Sequence, residues 1–313
     1  MVRAILKFFF CWIWPKVPWH TAIMKHVAEK HFIAGKTIQD AIRSGRELNK
    51  EGFFCYFNHI GDRCESPEER DRARSSYNEL IEAINEHGLK AGISTKASAL
   101  GMLNPNLHSG KTREGLAKLV SKARDYGIPF WLDGEELIYH KKTTEVAFFA
   151  RMVCPKTGSV IQAYTKNIGS IVLELYRTKS AFPGVTTGFR ICKGAYTEPK
   201  ELAYSDINDI RDRFEFWVRK VVETKHYAQV ATHDEEIIRR VIALEQAGKI
   251  RRDQFEFALL LGVNMPLAKK LLSRGYRVII YVPFGKDVEG FCVRRIIERP
   301  RYIILPLKAI FCK

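Results

Sequence analysis

Residues 228–257 read AQVATHDEEIIRRVIALEQAGKIRRDQFEF, and their pattern decides the fold class. The short apolar runs 228–231 and 254–257 are typical of buried strands. Between them, the apolar residues of 234–247 recur at helical spacing. A strand, a helix and a second strand in this order form the repeating unit of a parallel sheet.

The same alternation continues in both directions along the chain. Further strand patterns occur at 53–57, 91–95, 129–132, 159–163, 187–191 and 277–281, and further helical patterns include 67–87, 112–126, 206–225 and 287–298. Eight strand patterns separated by helices match a closed (β/α)8 barrel, and an open doubly wound sheet is the next choice. We therefore predict an α/β fold of the (β/α)8 TIM-type barrel class.

The barrel pattern divides the chain into three predicted parts. Residues 1–50 form a basic and apolar N-terminal segment, in which 20–50 have helical spacing. Residues 51–300 form the barrel, and 301–313 form a basic, apolar C-terminal tail. No Pro- or Ser-rich linker interrupts the middle part, so we expect one barrel domain with an N-terminal helical extension.

Length and composition indicate a globular protein with an anionic partner. Of the 313 residues, 46% are hydrophobic and 27% are charged, which excludes a disordered or collagen-like chain. The 51 Lys and Arg residues exceed the 35 Asp and Glu residues and give a formal net charge of +16. A nucleic acid, a membrane surface or an anionic ligand would each complement this charge.

Several common kinds of site are disfavoured by the motifs. Seven cysteines, an odd number without CxxC spacing, argue against a zinc ribbon, a redox dithiol or a disulfide framework. GxGxxG and HExxH patterns do not occur, and Pro105 stands where a P-loop ending at Gly110 would need its first glycine. The histidines are not spaced as metal ligands, so no metal site is predicted. No known nucleic-acid-binding module stands out, so nucleic acid is not the expected partner.

Both ends of the chain combine basic and apolar residues. The first acidic residue is Glu29, and none follows Glu298. Such segments suit the surface of an anionic bilayer, and they equally suit packing on the barrel. Both interpretations remain open at this point, and no stretch reaches the length of a membrane-spanning helix.

Polar residues follow nearly every predicted strand. In a parallel barrel these positions meet at one rim, where the chemistry of such folds takes place. The residues at these positions are Asn58, His59, Lys96, Ser98, Asp133, Glu135, Gln162, Tyr164, Arg190, Lys193, Thr232, His233 and Tyr281. Their concentration at strand ends indicates a binding or catalytic site there.

Two long motifs and several shorter ones resemble one enzyme family. The long ones are RICKGAYTEP at 190–199 and YVPFGKDVEGFCVRRIIE at 281–298. The shorter ones are STKASALG at 94–101, LDGEE at 132–136, IQAY at 161–164, ATHD at 231–234 and FEFALLLG at 255–262. Taken in the order in which they occur along the chain, these motifs resemble the proline dehydrogenase family, flavin enzymes that oxidise L-proline. The resemblance covers roughly residues 50–300.

The resemblance implies a (β/α)8 barrel that binds FAD at the carboxyl ends of its strands. The positions that match the family's flavin site are Gln162, Arg190, Lys193, Gly194, Ala195, Thr232 and His233. Arg190 would lie close to the isoalloxazine ring, and Lys193 would reach a flavin oxygen or phosphate.

The resemblance also implies a site for L-proline. Arg294 and Arg295 match the pair that clamps the substrate carboxylate, and Lys96 matches a third cation there. We expect Asp133 and Glu298 to offset these charges by pairing with Lys96 and an arginine. The residues that match the wall of the pyrrolidine site are Leu260 and Tyr281. Lys96, Asp133 and Arg190 are the predicted catalytic residues.

The implied reaction transfers a hydride from proline to flavin N5 and gives Δ1-pyrroline-5-carboxylate, the first step of proline catabolism. The implied electron acceptor is a membrane quinone, which would place the protein peripherally on the cytoplasmic side of an inner membrane or on the mitochondrial matrix side. Phe291 stands where the family often has tyrosine. This departure keeps open the alternative of a dehydrogenase of another cyclic imino acid, such as hydroxyproline. The high net charge keeps open a second alternative, a non-catalytic relative that binds membrane or nucleic acid.

Overall fold

Eight strands alternate with helices in the computed structural model, which describes residues 32–61, 63–107 and 110–286. The strands are β1 (Phe54–His59), β2 (Ala91–Thr95), β3 (Phe130–Leu132), β4 (Ser159–Gln162), β5 (Gly188–Cys192), β6 (Tyr227–Ala231), β7 (Phe255–Leu260) and β8 (Val278–Phe284). The helices are α1 (Ile38–Lys50), α2 (Pro67–Glu86), α3 (Gly110–Asp125), α4 (His140–Val153), α5 (Ile168–Ala181), α6 (Ile207–Glu223), α7 (Glu235–Gln246) and α8 (Met265–Ser273). Each predicted strand overlaps an observed one.

The strands form one parallel sheet that closes on itself. Their order is β3-β2-β1-β8-β7-β6-β5-β4, so β3 and β4 are the two ends. These ends meet through a parallel bridge between Trp131 and Gly158, next to which the N–H of Leu132 donates to the Gly158 carbonyl at 3.0 Å. The predicted (β/α)8 TIM-type barrel is therefore confirmed.

Helix starts follow local capping chemistry, and helix faces follow apolar spacing. Ser66 accepts a hydrogen bond from the N–H of Glu69 and precedes Pro67, which opens α2. The buried apolar residues of this helix are Tyr77, Leu80, Ile81 and Ile84. Their spacing of three and four residues places them on one face, which packs against the outside of the barrel.

The N-terminal helix is shorter than predicted. Helix α1 begins at Ile38 because Thr37 and Asp40 form a capping box. Residues 32–37 lie outside the helix, and the N–H of Ala34 instead donates to the Pro283 carbonyl at 2.9 Å. The helix prediction is wrong for these six residues, and its part before residue 32, like the predicted helix 287–298, lies outside the described residues. The three-part division of the chain stays a prediction.

The lower half of the barrel interior is filled by large rings packed against small residues. Tyr56 and Trp131 form an apolar cluster there with Ala258 and Ile279. A Cβ atom at Gly158, directly before β4, would overlap the Trp131 ring, so glycine is required at this position. The apolar layer closes the barrel beneath the carboxyl ends of the strands and forms the floor of the site.

Candidate functional site

Asp133 is the centre of a polar cluster above the apolar layer. Its Oδ1 accepts hydrogen bonds from Arg190 Nη1 at 2.6 Å and from Ser94 Oγ at 2.7 Å. Its Oδ2 accepts one from the Tyr281 hydroxyl at 2.6 Å. Because these donors come from β2, β5 and β8, the carboxylate joins three parts of the barrel at one point.

Tyr281 keeps its proton in this position. Burial, reinforced by the negative charge of Asp133, raises the pKa of Tyr281 well above its ordinary value. The hydroxyl therefore donates to the carboxylate across the neutral pH range. The aromatic ring of Tyr281 is thereby fixed in orientation, as a wall for a bound ring requires.

Arg190 is buried among rings and donates to more than one partner. Its guanidinium carbon lies 5.5, 5.0 and 5.3 Å from the ring centroids of Tyr56, Trp131 and Tyr281. Its Nε donates to Gln229 Oε1. Its Nη2 is buried and has no hydrogen-bond partner among the described residues. Since such an N–H is costly to leave unsatisfied, it indicates a group that completes the site.

Gln162 at the end of β4 and Glu135 after β3 form hydrogen bonds that connect neighbouring segments of the rim. Gln162 Nε2 donates to the Glu135 carbonyl at 2.7 Å, and Glu135 Oε1 accepts the N–H of Ser98 at 2.8 Å. Burial raises the pKa of Glu135. These bonds connect the segments that follow β2 and β3 to the end of β4.

Lys193 and Arg211 converge on one carboxylate. Lys193 Nζ lies 3.4 Å from Asp234 Oδ2, and Arg211 Nε lies 3.2 Å from the same atom. Asp234 also caps α7 by accepting the N–H of Glu236. Burial acts to raise the pKa of Asp234, but Arg211 and Lys193 outweigh it and hold that pKa below its usual value.

Gly194 has a backbone conformation and an environment that favour glycine. Its φ is +118°, and a Cβ atom there would overlap the ring of Tyr164. Ala195 follows it and is exposed. Glycine therefore lets the Tyr164 ring pack against this loop at the rim of the barrel, next to Lys193.

Thr232 and His233 are held by the ends of β6 and β7. The Thr232 hydroxyl accepts the N–H of Asp234 at 3.1 Å. His233 Nε2 accepts the N–H of Leu260 at 3.1 Å, so a neutral His233 carries its proton on Nδ1. Leu260 is half-buried beside this contact.

The structure brings together most of the residues predicted from the strand ends, with one correction. Asp133 was expected to pair with Lys96, but among the described residues its ion pair is with Arg190. Lys96 is half-buried at the end of β2 and forms no ion pair within the part of the chain that the structure describes. The predicted clamp residues Arg294, Arg295 and Glu298, and the departure at Phe291, lie outside the described residues.

Three contributors were not singled out from the sequence. They are Ser94, Gln229 and Glu256, which point into the barrel from strand interiors. Their strands look apolar as a whole, and the only signal was one polar residue at an inward position of each strand.

Residues 32–61, 63–107 and 110–286 contain no metal-type cluster of His, Cys, Asp and Glu. In that same range, no helix is long and apolar enough to span a bilayer.

Known proteins match this chain along most of its length. The family model described as proline dehydrogenase matches residues 41–299. The proline dehydrogenase of Deinococcus radiodurans is 31% identical over 283 residues, which cover 89% of this chain and 88% of the relative. Proline dehydrogenase 1 of Bacillus subtilis (strain 168) is 29% identical over 284 residues, 91% of each chain.

Solved structures share the fold. Proline utilization A (PutA) from Bdellovibrio bacteriovorus, inactivated by N-propargylglycine, has a TM-score of 0.77 and 20% identity and covers 89% of this chain. A PutA variant from Bradyrhizobium japonicum has a TM-score of 0.72, 21% identity and 87% coverage. This chain spans 33% and 30% of those two longer chains, respectively.

The fold and the polar cluster define a (β/α)8 barrel with a ligand site at the carboxyl ends of its strands. The chain belongs to the proline dehydrogenase family, as the match over residues 41–299 shows. Membership places it among the oxidoreductases of proline catabolism.

Proposed function

We propose that this chain oxidises L-proline to Δ1-pyrroline-5-carboxylate and uses FAD as the hydride acceptor. The observation that carries the proposal is the buried Arg190–Asp133–Tyr281 cluster at the mouth of a barrel of this family. A cation whose Nη2 has no partner among the described residues, beside a fixed aromatic wall, suits a flat, electron-accepting ring with acceptor atoms on its edge.

The residues at the rim fit a flavin. Arg190 Nη2 is a buried donor without a partner among the described residues. Gly194 allows the Tyr164 ring to pack against the loop beside Lys193, whose ammonium suits a flavin oxygen or a phosphate. FAD would be held by Gln162, Arg190, Lys193, Gly194, Ala195, Thr232 and His233. When bound, FAD supplies the hydride acceptor that no amino-acid side chain provides.

The protein's own residues would bind and orient the substrate. Tyr281 and Leu260 would contact the pyrrolidine ring, and the hydroxyl bond to Asp133 holds Tyr281 in place. Lys96 would bind the carboxylate together with Arg294 and Arg295, which match the family's clamp. Since orientation supplies much of the rate in such reactions, a rigid wall and a fixed cation favour turnover.

The protonation state of the substrate amine predicts an alkaline pH optimum for turnover. A hydride leaves the ring carbon next to nitrogen only when that nitrogen has a free electron pair. The neutral amine is therefore the reactive form, and the rate is expected to rise as the pH approaches the pKa of the bound amine.

A substrate comparison tests this proposal. The FAD-reconstituted protein is assayed with an artificial electron acceptor on L-proline, hydroxyproline and pipecolate. We expect L-proline to have the highest kcat/KM, and Arg294→Ala and Arg295→Ala to raise KM strongly. Arg239→Ala removes an exposed arginine whose ion pair within the described part of the chain is with Glu236 on α7, so it is the matched control. An equal KM for L-proline in the wild type and all three variants would contradict the clamp.

A second candidate substrate rests on Phe291. A phenylalanine in place of the family's usual tyrosine removes a hydroxyl that would discriminate against a hydroxylated ring. A higher kcat/KM for hydroxyproline than for L-proline in the assay above would favour this alternative. The variant Phe291→Tyr would then shift the preference back toward L-proline.

We further propose that the electrons pass to a membrane quinone and that the protein binds the surface of an anionic membrane. That surface would be the cytoplasmic face of an inner membrane or the matrix face in a mitochondrion. The net charge of +16 and the acid-free ends of the sequence support this proposal. Co-sedimentation with anionic liposomes at low salt, lost at high salt, is the expected result. No binding at low salt would contradict it.

A further inference from the structure

A polar chain runs from Arg190 across the two neighbouring strands of the barrel to a buried carboxyl group. Gln229 on β6 accepts the Arg190 Nε–H through Oε1. Its Nε2 donates to Glu256 Oε1 at 2.7 Å. Glu256 lies on β7 and is only 4% exposed. Both residues lie within strands of the barrel, and the proposed chemistry uses neither of them.

The donors and acceptors of this chain allow only one arrangement. Arg190 is a donor only, so the Gln229 oxygen must face it. The Gln229 NH2 group must then face the opposite way and requires an acceptor, which Glu256 provides. Glu256 in turn accepts from the Tyr227 hydroxyl at 3.3 Å and lies 3.5 Å from Arg277 Nη2.

A second buried arginine shows what a purely structural site looks like in this protein. Arg151 Nε donates to the Thr157 carbonyl at 3.1 Å, Nη1 to Glu174 Oε1 at 3.1 Å, and Nη2 to Ser159 Oγ at 2.6 Å. Every nitrogen of Arg151 is satisfied. Arg190 has two nitrogens fixed and leaves the third without a partner among the described residues.

We propose that Gln229 and Glu256 are positioning residues that set the direction of the Arg190 guanidinium, so that its Nη2 faces the ligand site. Gln229 holds Nε and Asp133 holds Nη1, which leaves the guanidinium plane no freedom to turn. Glu256 acts one step further away, because it prevents the Gln229 amide from flipping. That the ligand is FAD rests on the proposed function.

The first test observes Arg190 directly in the apoprotein. Proteins labelled with 15N-arginine give an Nε–H signal for Arg190, which Arg190→Lys assigns. We expect slow hydrogen exchange at this signal in the wild type and in Glu256→Gln, which still offers an oxygen to Gln229. Glu256→Met removes that acceptor, so we expect rapid exchange there. Glu174→Met removes a similarly buried carboxylate elsewhere, 6% exposed against 4% for Glu256, and serves as the matched control.

The second test uses the FAD-loaded proteins. In Glu256→Met we expect a lower flavin reduction potential and a fall in kcat/KM for L-proline of about a hundredfold, since small displacements of a positioned group cost that much. Glu256→Gln and Glu174→Met are expected to keep the wild-type potential. Glu174→Met should nevertheless lower the melting temperature, which separates stability from positioning.

Defined results overturn the proposal. Slow exchange of the Arg190 Nε–H and an unchanged flavin reduction potential in Glu256→Met would overturn it. Rapid Arg190 exchange and a lowered flavin potential in Glu174→Met would overturn it too. Equal losses in Glu256→Gln would show that charge matters rather than the acceptor, and would also overturn it. If Glu256→Met does not fold, Gln229→Asn, which withdraws the acceptor by one methylene, must give the rapid exchange instead.

The exchange readout also separates this inference from the proposed function. A wild type that binds no FAD or leaves L-proline unoxidised would refute the proposed function. Rapid Arg190 exchange in apo Glu256→Met would still support the positioning role in that case.

Discussion

Arg190 on β5 and Asp133 after β3 form a buried ion pair across the barrel, with 2.6 Å between Nη1 and Oδ1. Their side chains are only 7% and 11% exposed. The pair joins two parts of the barrel that lie far apart in the chain, and it leaves Arg190 Nη2 without a partner among the described residues. Under the proposed function, both stability and activity depend on these two residues.

Removing the carboxylate of Asp133 is expected to destabilise the fold and to slow turnover strongly. Asp133→Ala leaves a buried guanidinium without its counter-charge, which costs about 3–5 kcal/mol of unfolding free energy. Urea unfolding measures this cost. Asp212→Ala breaks an ion pair with Arg240 in which Asp212 is 69% exposed, so this control should cost at most about 1 kcal/mol. Equal costs for the two variants would contradict the central role of the buried pair.

Tyr281→Phe tests the hydroxyl contact with Asp133 alone. The ring stays, while the donor at 2.6 Å from Oδ2 is removed. A hydrogen bond to a charged group is worth about 1.5–3 kcal/mol, so a loss of that order in unfolding free energy is expected. Turnover should fall through kcat, since the wall is present but less fixed. A variant with wild-type stability and kcat would show that the hydroxyl contact is dispensable.

Gly194→Ala tests the loop backbone beside Lys193, against which the Tyr164 ring packs. The substitution forces a side chain into φ +118° and into the Tyr164 ring, which costs about 1–3 kcal/mol and should weaken FAD binding. Gly184→Ala is the matched control, because Gly184 has φ +82° but open space around it. A melting curve and a flavin titration separate the two effects. Equal flavin affinity in both variants would contradict a flavin contact at Gly194.

The pH dependence of stability should contain a contribution from Asp234. Its pKa in the folded protein lies below the usual value of 3.8, so the folded state binds fewer protons than the unfolded state near that pH. The contribution is fully present above the unfolded pKa and is lost as the pH falls through the folded pKa. Asp234→Asn keeps an N-cap for α7 and should flatten this acid limb in urea unfolding curves. An unchanged acid limb would contradict the ion pairs of Asp234 with Lys193 and Arg211.

The barrel could be predicted because apolar residues recur with different spacing in strands and in helices. The strand patterns were short and apolar, the helical ones were amphipathic, and their regular alternation leaves few topologies. The start of α1 was placed wrongly, because the apolar residues Phe32 and Ile33 continue the helical spacing although they are buried in non-helical backbone. Apolar spacing indicates burial, and Thr37, not the spacing, sets where the helix begins.

The candidate site was predictable only in part, for a geometric reason. Strand ends share a rim, so Asp133, Arg190 and Tyr281 could be expected near one another. Which cation pairs with Asp133 depends on reach and direction across the barrel, and the sequence contains no measure of either. Gln229 and Glu256 were missed because a single polar residue inside a strand gives a weak signal.

The most direct test of the proposed activity is the visible spectrum of the FAD-loaded protein, recorded without oxygen before and after addition of L-proline. The account predicts a flavin band that bleaches with L-proline in the wild type and bleaches far more slowly in Asp133→Ala. A flavin band that persists with L-proline, or a protein that cannot be loaded with FAD, would contradict it.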